Sequence, residues 1–268
     1  MSVEVSIVTP SREPARARGS VLAAVAHEGL SLEVIVVDDT PRDRAAQVTT
    51  PDDERVTVLR VDPHVGFSAG CNHGVSVARG DWITLLREGD LWAPDHLAGL
   101  IAGCEADGSE FGYSASWAIG SDAQIYGFNP VPRPHELARE LMRGPVLRSP
   151  SVLLARRTLW KRAGGFDAWL DALATWNLWI RWSRIATGWS ARDAPTAAVV
   201  LPDAASQRAM LEAELRELRR RYKGDARGAG VRFGEAFDAR HSSACATPQG
   251  QVPWLHTLFA RHHRTSRH

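Results

Sequence analysis

Lysine is nearly missing from this chain: of 32 basic residues only Lys161 and Lys223 are lysine. With arginine and alanine abundant, the imbalance reflects GC-rich coding more than function. Cysteine is scarce too. Cys71, Cys104 and Cys245 are odd in number and far apart, which excludes a disulfide framework and the paired spacings of a zinc site. They read as reduced and structural. The longest apolar runs, Val34-Ile-Val-Val37 and Ala197-Ala-Val-Val-Leu201, are strand-sized and far short of a membrane span. The N-terminus carries no basic stretch followed by an apolar one, so the expectation is a cytoplasmic protein without an integral membrane segment. Net charge is also slight, +1, which argues against a dedicated nucleic-acid binder. That value conceals an asymmetry: from Ala204 onward 12 Lys+Arg face 6 Asp+Glu, a balance of +6 that leaves −5 for everything before.

What is present suffices for a large core. A chain of 268 residues with 44% hydrophobic content can build one large α/β domain or two small ones. Its first hundred residues alternate β-branched runs with helix-like segments, the pattern of βαβ units. Strands are predicted over 3–9, ended by Pro10, and over 32–37, 56–61 and 82–86; helices over 15–29 and 69–78. The stretch 108–150, rich in Gly, Ser, Pro and aromatics, predicts short strands and loops with a helix over 135–142. A strand over 151–155, helices over 157–163 and 176–185, and an Ala/Leu/Glu/Arg helix over 204–223 follow, then a weakly patterned tail ending His262-His263-Arg264.

Four ordered segments carry a resemblance: Val5-Ser-Ile-Val-Thr-Pro10; Glu33-Val-Ile-Val-Val-Asp-Asp-Thr40; Gly66-Phe-Ser-Ala-Gly-Cys-Asn72 with Ala78-Arg-Gly-Asp-Trp-Ile-Thr-Leu-Leu86; and Ser151 through Arg181, which holds Gly164-Gly-Phe-Asp167. One βαβ unit with an acidic turn has many homes, but the ordered set resembles the family-2 inverting glycosyltransferases over roughly the first 200 residues. The resemblance implies a GT-A, Rossmann-like, mostly parallel sheet flanked by helices, with a C-terminal helical extension. The expected division is a transferase domain over 1–203, with the nucleotide bound by 1–107 and the acceptor by 108–203, and a C-terminal helix and basic tail over 204–268.

Ligands of open α/β sheets bind beyond the carboxyl ends of the strands, where Thr9, Pro10, Ser11, Asp38 and Asp39 fall. The resemblance implies a nucleoside-diphosphate sugar donor there. Asp38 and Asp39 would accept hydrogen bonds from the base or ribose, Thr9 to Arg12 would meet the base through the main chain, and Gly66 and Asn72 would lie toward the sugar-phosphate. A pair of turn or helix-capping carboxylates is the plainer alternative for Asp38-Asp39.

Two departures from the family pattern bear on chemistry. Where relatives carry Asp-x-Asp-Asp to hold a divalent cation, this chain has Arg87-Glu88-Gly89-Asp90. Either Glu88 and Asp90 hold Mg²⁺ or Mn²⁺ in shifted geometry, or Arg87 neutralises the diphosphate by forked hydrogen bonding, or phosphate is not bound at all; the second is preferred, with Asp90 also near the diphosphate. The general base is displaced as well. Inverting transfer needs a carboxylate to take the acceptor's proton, and the expected acidic positions before Ala174-Thr-Trp-Asn-Leu-Trp179 are neutral. Asp171 is the nearest carboxylate and Asp167 the fallback, though Asp167 suits backbone capping. His64, His73 and His96 fall near the crevice and read as loop or surface residues.

Trp169, Trp176, Trp179, Trp182 and Trp189 concentrate in one region. Core packing is the plain reading, and an aromatic platform for an acceptor the other for Trp169 and Trp176. The helix over 204–223 sets Met210, Leu211, Leu215 and Leu218 at helical spacing, with Arg216, Arg219, Arg220 and Arg221 outside. Packing on the domain is expected, and an approach to an anionic membrane or carrier-linked acceptor is the alternative. Three functions remain in view: transfer of a sugar to a saccharide, natural-product or carrier-linked acceptor; nucleotide binding by a degenerate relative; and a different reaction on the same fold.

Overall fold

The computed structural model describes residues 3–12, 14–40, 52–61, 65–201, 208–237 and 250–253. The N-terminal half runs β1 (Val5–Ser11), α1 (Pro14–Val25), β2 (Leu32–Asp38), β3 (Val56–Arg60), α2 (Phe67–Val77), β4 (Trp82–Leu85). Its strands pair in parallel in the order β3-β2-β1-β4. Every residue of β2 is buried, because helices cover both faces of a parallel sheet and leave no side to alternate toward water.

The sequence predicts an end to β1 before Pro10; the structure carries the strand two residues further, with Pro10 opposite Val37 and Ser11 opposite Asp38. The reason is local. The Val8 carbonyl accepts from Leu86 N–H on the β4 side, so the nitrogen of Pro10, two residues on, faces that same side. There the ladder to β4, paired only with Val5–Val8, has already ended, and the missing N–H breaks no bond.

The second half runs β5 (Leu91–Trp92), α3 (His96–Asp107), β6 (Phe111–Ile119), β7 (Ile125–Asn129), α4 (Leu137–Arg143), β8 (Leu153–Arg156), α5 (Arg157–Ala163), α6 (Ala174–Ile185), β9 (Trp189–Val200) and α7 (Arg208–Gly228). The sheet continues β4-β8-β6-β9-β5, with β7 hung on β6. Following the pairings, β1, β2, β3, β4, β6 and β9 share one direction, while β8, β5 and β7 oppose it. The mostly parallel α/β sheet expected from sequence is therefore present. The stretch 108–150 is more ordered than predicted: β6 spans nine residues, and a 3-10 turn at Pro134–Glu136 delays α4 to Leu137.

Core and helices follow the apolar pattern with one notable departure. Trp176, Trp179 and Trp182 are buried on α6, and Trp176 stacks on Phe233 with ring centroids 4.8 Å apart. Leu215, Leu218 and Tyr222 of α7 belong to the same core cluster as the sheet residues. Met210, expected inward, is exposed, and Glu214 takes a buried place on the apolar face instead. Among the described residues no helix is long and apolar enough to cross a membrane. The His/Arg cluster at 262–264 lies outside the described residues.

Candidate active site

A cleft of about 290 Å³ opens beyond the carboxyl ends of β1, β2 and β4. It gathers Pro10, Ser11, Asp39, Gly66, Arg87, Glu88 and Asp171 from the residues singled out by sequence, together with Arg12. Thr9, Asp38, Asn72 and Asp90 do not line it. Arg148, Phe67, Thr175 and Leu211 also line it; of these, Arg148 carries chemistry that no sequence motif flags.

The two aspartates of the acidic turn do different work. Asp38 closes the turn: its Oδ1 accepts the Thr40 N–H at 3.0 Å and its Oδ2 pairs with Arg60 at 2.5 Å. Burial would raise this carboxyl, but the hydrogen bonds from Thr40 and Arg60 outweigh it and lower the pKa. Asp39 builds the cleft. It accepts from Val65 N–H (2.9 Å), Gly66 N–H (3.1 Å) and Arg12 Nε (3.2 Å), joining the loop before α2 to the end of β1.

The Arg87–Asp90 turn stands on α1, where Ser20 Oγ accepts the Gly89 N–H at 2.9 Å. Gly89 has φ 84°, and a Cβ there would meet Val200 Cγ2 at 3.2 Å. A side chain at this position is strained and crowded, which is a physical reason for glycine here. Asp90 points inward and is fully buried. It accepts from Ser149 and Ser151 hydroxyls (2.5 and 2.8 Å), Val200 N–H (2.8 Å) and Arg87 (3.0 Å).

These partners decide the fit of a divalent cation. Four protein donors already fill the Asp90 carboxylate, and Glu88 Oε1 accepts from Ser11 Oγ (2.6 Å) and Arg12 N–H (3.0 Å). Among the described residues no group of three or more His, Cys, Asp or Glu side chains could hold a metal. Of the Glu88–Asp90 pair only Glu88 faces the cleft, beside three guanidinium groups, so this donor set does not fit a diphosphate-bound cation. Arg87 spends one terminal nitrogen on Asp90 and the Val200 carbonyl, and its Nε is buried without a partner among the described residues.

Asp171 enters from the opposite wall. Its Oδ1 accepts the Phe67 N–H at 3.3 Å. Its segment is held from below by Glu214 of α7, whose carboxylate accepts the N–H groups of Asp171 (2.8 Å), Ala172 (3.3 Å) and Leu173 (2.7 Å). These donors lie at and just before the N-cap of α6, Leu173, where a carboxylate also meets the positive end of the helix dipole. A sequence signal for Glu214 exists: it is an acid lying between Leu211, Leu215 and Leu218 on the apolar face.

Asp167 is occupied, as its expected structural role requires, though by side chains rather than backbone N–H groups. It receives Asn177 Nδ2 at 3.0 Å and Arg221 at 2.6 Å, while Tyr222 donates to Asn177 Oδ1 at 2.6 Å. Asn72 braces the Gly-Gly-Phe turn, donating to the Phe166 carbonyl at 2.9 Å and accepting its N–H at 2.8 Å. It therefore turns away from the cleft.

His73, His96 and Trp176 stand apart from this site. His96 is not a surface residue: it is buried, stacked on Trp92 at 5.1 Å, with Nδ1 2.8 Å from Thr196 Oγ1. His73 is exposed on α2, and His64 lies outside the described residues. Trp176 is sealed in the core, which leaves Trp169, 47% exposed, as the aromatic that could meet a ligand.

Comparison with known proteins places this geometry. The profile described as "Glycosyl transferase family 2" matches residues 6–157. The chain is 37% identical over 89 residues to the succinoglycan biosynthesis protein ExoO of Rhizobium meliloti (strain 1021), covering 33% of this chain and 26% of that protein. It is 28% identical over 135 residues to ExoW of the same organism, covering 47% and 41%. The chain thus spans well under half the length of the curated relatives it matches. Among solved structures, S. aureus TarS 1-349 in complex with UDP superposes with a TM-score of 0.60 at 14% identity, over 78% of this chain and 63% of that one. The same protein in complex with UDP-GlcNAc gives 0.59 at 13% identity, over 75% and 59%.

Proposed function

The chain belongs to glycosyl transferase family 2, and from that premise we propose that it transfers a sugar from a nucleoside-diphosphate sugar to an acceptor hydroxyl, with inversion and with arginine in place of a divalent cation. The observation that carries this reading is the single cleft in which Arg12, Arg87 and Arg148 stand with Asp39, Glu88 and Asp171 at the strand ends. The likeness to a fold solved with UDP and UDP-GlcNAc supports a uridine nucleotide as the first donor to test.

In this reading Ser11, Arg12 and Asp39 form the nucleoside end, with Asp39 holding Arg12 and the Gly66 N–H in place. The guanidinium groups take the charge of the departing diphosphate through forked hydrogen bonds. Asp171 removes the acceptor hydroxyl's proton as the oxygen attacks the anomeric carbon and the bond to the diphosphate breaks on the opposite face. Its Oδ2 is the basic atom, since Oδ1 receives Phe67 N–H. The acceptor approaches from the side of Thr175 and Arg148, as a saccharide, a natural product or a carrier-linked chain. Cys71 and Cys104, free and buried, with thiols pushed up by burial, suit the reducing cytoplasm.

Calorimetric titration with UDP, dTDP and GDP, with Mn²⁺ or Mg²⁺ and again with EDTA, tests the reading. Binding that persists in EDTA supports it, and binding that requires metal overturns the arginine assignment. The burial of Asp90 favours one rival, a nucleotide-binding relative without turnover. Tight donor binding with neither transfer nor donor hydrolysis would select that rival.

A further inference from the structure

Helix α7 carries two faces. One is buried: Glu214, Leu215, Leu218, Tyr222 and Ala226 turn into the core. At 100° per residue, Arg216, Arg219, Lys223 and Arg227 fall within one sector of about 80° that borders the buried face on one side, and all four are exposed. They make no ion pair or side-chain hydrogen bond among the described residues, whereas neighbouring Arg220 and Arg221 are spent on Glu217 and Asp167. The stripe spans about 16 Å at 1.5 Å per residue.

Beside it lies a second, separate cavity of about 680 Å³. Arg219, Lys223 and Arg227 form one wall and Arg232 stands on the turn after the helix, while Val231 and Phe233 line its apolar part. The sole carboxylate in the lining, Glu235, is already paired with Arg143 at 2.7 Å. The groove therefore offers cations around an apolar floor, which suits an amphiphile with an anionic head.

We propose that this face of α7 and its groove dock the protein on an anionic lipid surface. Charge distribution distinguishes a membrane from the other large polyanions. In residues 208–237, 8 Lys+Arg face 5 Asp+Glu, a balance of +3, whereas the residues before Ala204 sum to −5, so α7 and the turn after it form a basic part of an otherwise acidic body. A flat anionic bilayer meets only the stripe, and the field orients the chain with α7 downward within a Debye length of the surface. A nucleic acid gains by wrapping a basic surface, and the acidic remainder of this chain repels such wrapping. The groove's apolar floor also has no use for a sugar-phosphate backbone, but accommodates the upper end of an acyl chain.

The test is co-sedimentation of the full chain with vesicles of phosphatidylcholine alone and of phosphatidylcholine mixed with phosphatidylglycerol, at low and high salt, beside a gel-shift titration with duplex DNA. Binding to the anionic vesicles that weakens with salt is expected, with little binding to neutral ones. Replacing Arg219, Lys223 and Arg227 together by alanine should lower partitioning about 100-fold, at about fivefold per cation. All three side chains are exposed, so the melting temperature should not move, and a variant that melts normally yet still binds anionic vesicles overturns the proposal. Equal binding to neutral vesicles, no vesicle binding, or tighter binding to duplex DNA overturns it as well.

Discussion

The carboxylate of Glu214, on α7, accepts the main-chain N–H of Asp171 at 2.8 Å. A residue in the C-terminal helix thus fixes the backbone of the proposed base. Glu214→Gln keeps the shape but removes the charge and leaves fewer acceptors for three N–H groups. Hydrogen bonds to charged groups contribute about 1.5–3 kcal/mol, so stability should fall by that amount. Turnover should fall about 10- to 100-fold as the base loses its place, with the donor's dissociation constant unchanged. Steady-state kinetics beside calorimetry check the split, and a matched loss of donor affinity would deny Glu214 this role.

Asp171→Asn should lower turnover by about 10²- to 10⁴-fold, the usual contribution of a positioned base. Donor binding should stay within about twofold, since Phe67 N–H can still donate to the amide oxygen. Near-normal turnover would remove Asp171 from the mechanism.

Arg87→Ala strikes twice. It removes a charge-assisted contact to the diphosphate, expected to raise the donor's dissociation constant about 10- to 100-fold. It also leaves the buried Asp90 without its cationic partner, so the melting temperature should drop too. Arg87→Lys should recover some of the stability but little of the affinity, because an ammonium cannot fork. Equal donor affinity in wild type and Arg87→Ala would show that the guanidinium does not meet phosphate.

Burial holds His27 neutral, lowering its pKa from 6.5 to about 4, and holds that of His96 well below the usual histidine value. Both pack on Trp92. An unfolded chain takes up these protons near pH 6.5 and the folded one does not, so stability is full above pH 6.5 and declines as pH falls toward 4. His27 alone accounts for about 3 kcal/mol by the lower end of that window. Thermal melts from about pH 7.5 to about 4.5 check the slope, which His27→Phe should flatten.

How much of this was legible in the sequence depended on distance along the chain. Strand β2 and its acidic turn could be read directly because a buried parallel strand is a continuous apolar run, and the turn follows at once. The cleft's near wall, Pro10 to Arg12 with Asp39 and Arg87 to Glu88, followed from the rule about strand ends. Side-chain direction was not legible. Asp38 and Asp39 are adjacent, yet Arg60 draws one away while Arg12 and the Gly66 N–H hold the other at the cleft. Asn72 and Asp90 carry the right chemistry and face inward, toward the backbone of Phe166 and the hydroxyls of Ser149 and Ser151. Arg148 was hidden because it stands in no motif, and Glu214 because its partners lie some forty residues away in sequence; only the misplaced acid on an apolar helix face hinted at the second.

Gly165 shows how closely the far wall is fitted. It sits at φ 74°, and a Cβ there would run into Asn72 Oδ1. Gly165→Ala should cost about 1–2 kcal/mol from the left-handed backbone alone, and more through the two Asn72 bonds. A melting temperature unchanged from wild type would show that the turn adapts freely.

Every strand named above is complete by Val200, and α7 begins at Arg208. Glu214 and Leu211, which secure and line the cleft, are therefore made by the ribosome only after the whole sheet has been synthesised. A nascent chain halted before α7 would hold its Asp39 wall in order while the N–H groups of residues 171–173 lacked their carboxylate. The order of synthesis thus separates folding of the sheet from completion of the site, and leaves the finishing step to the C-terminal helix.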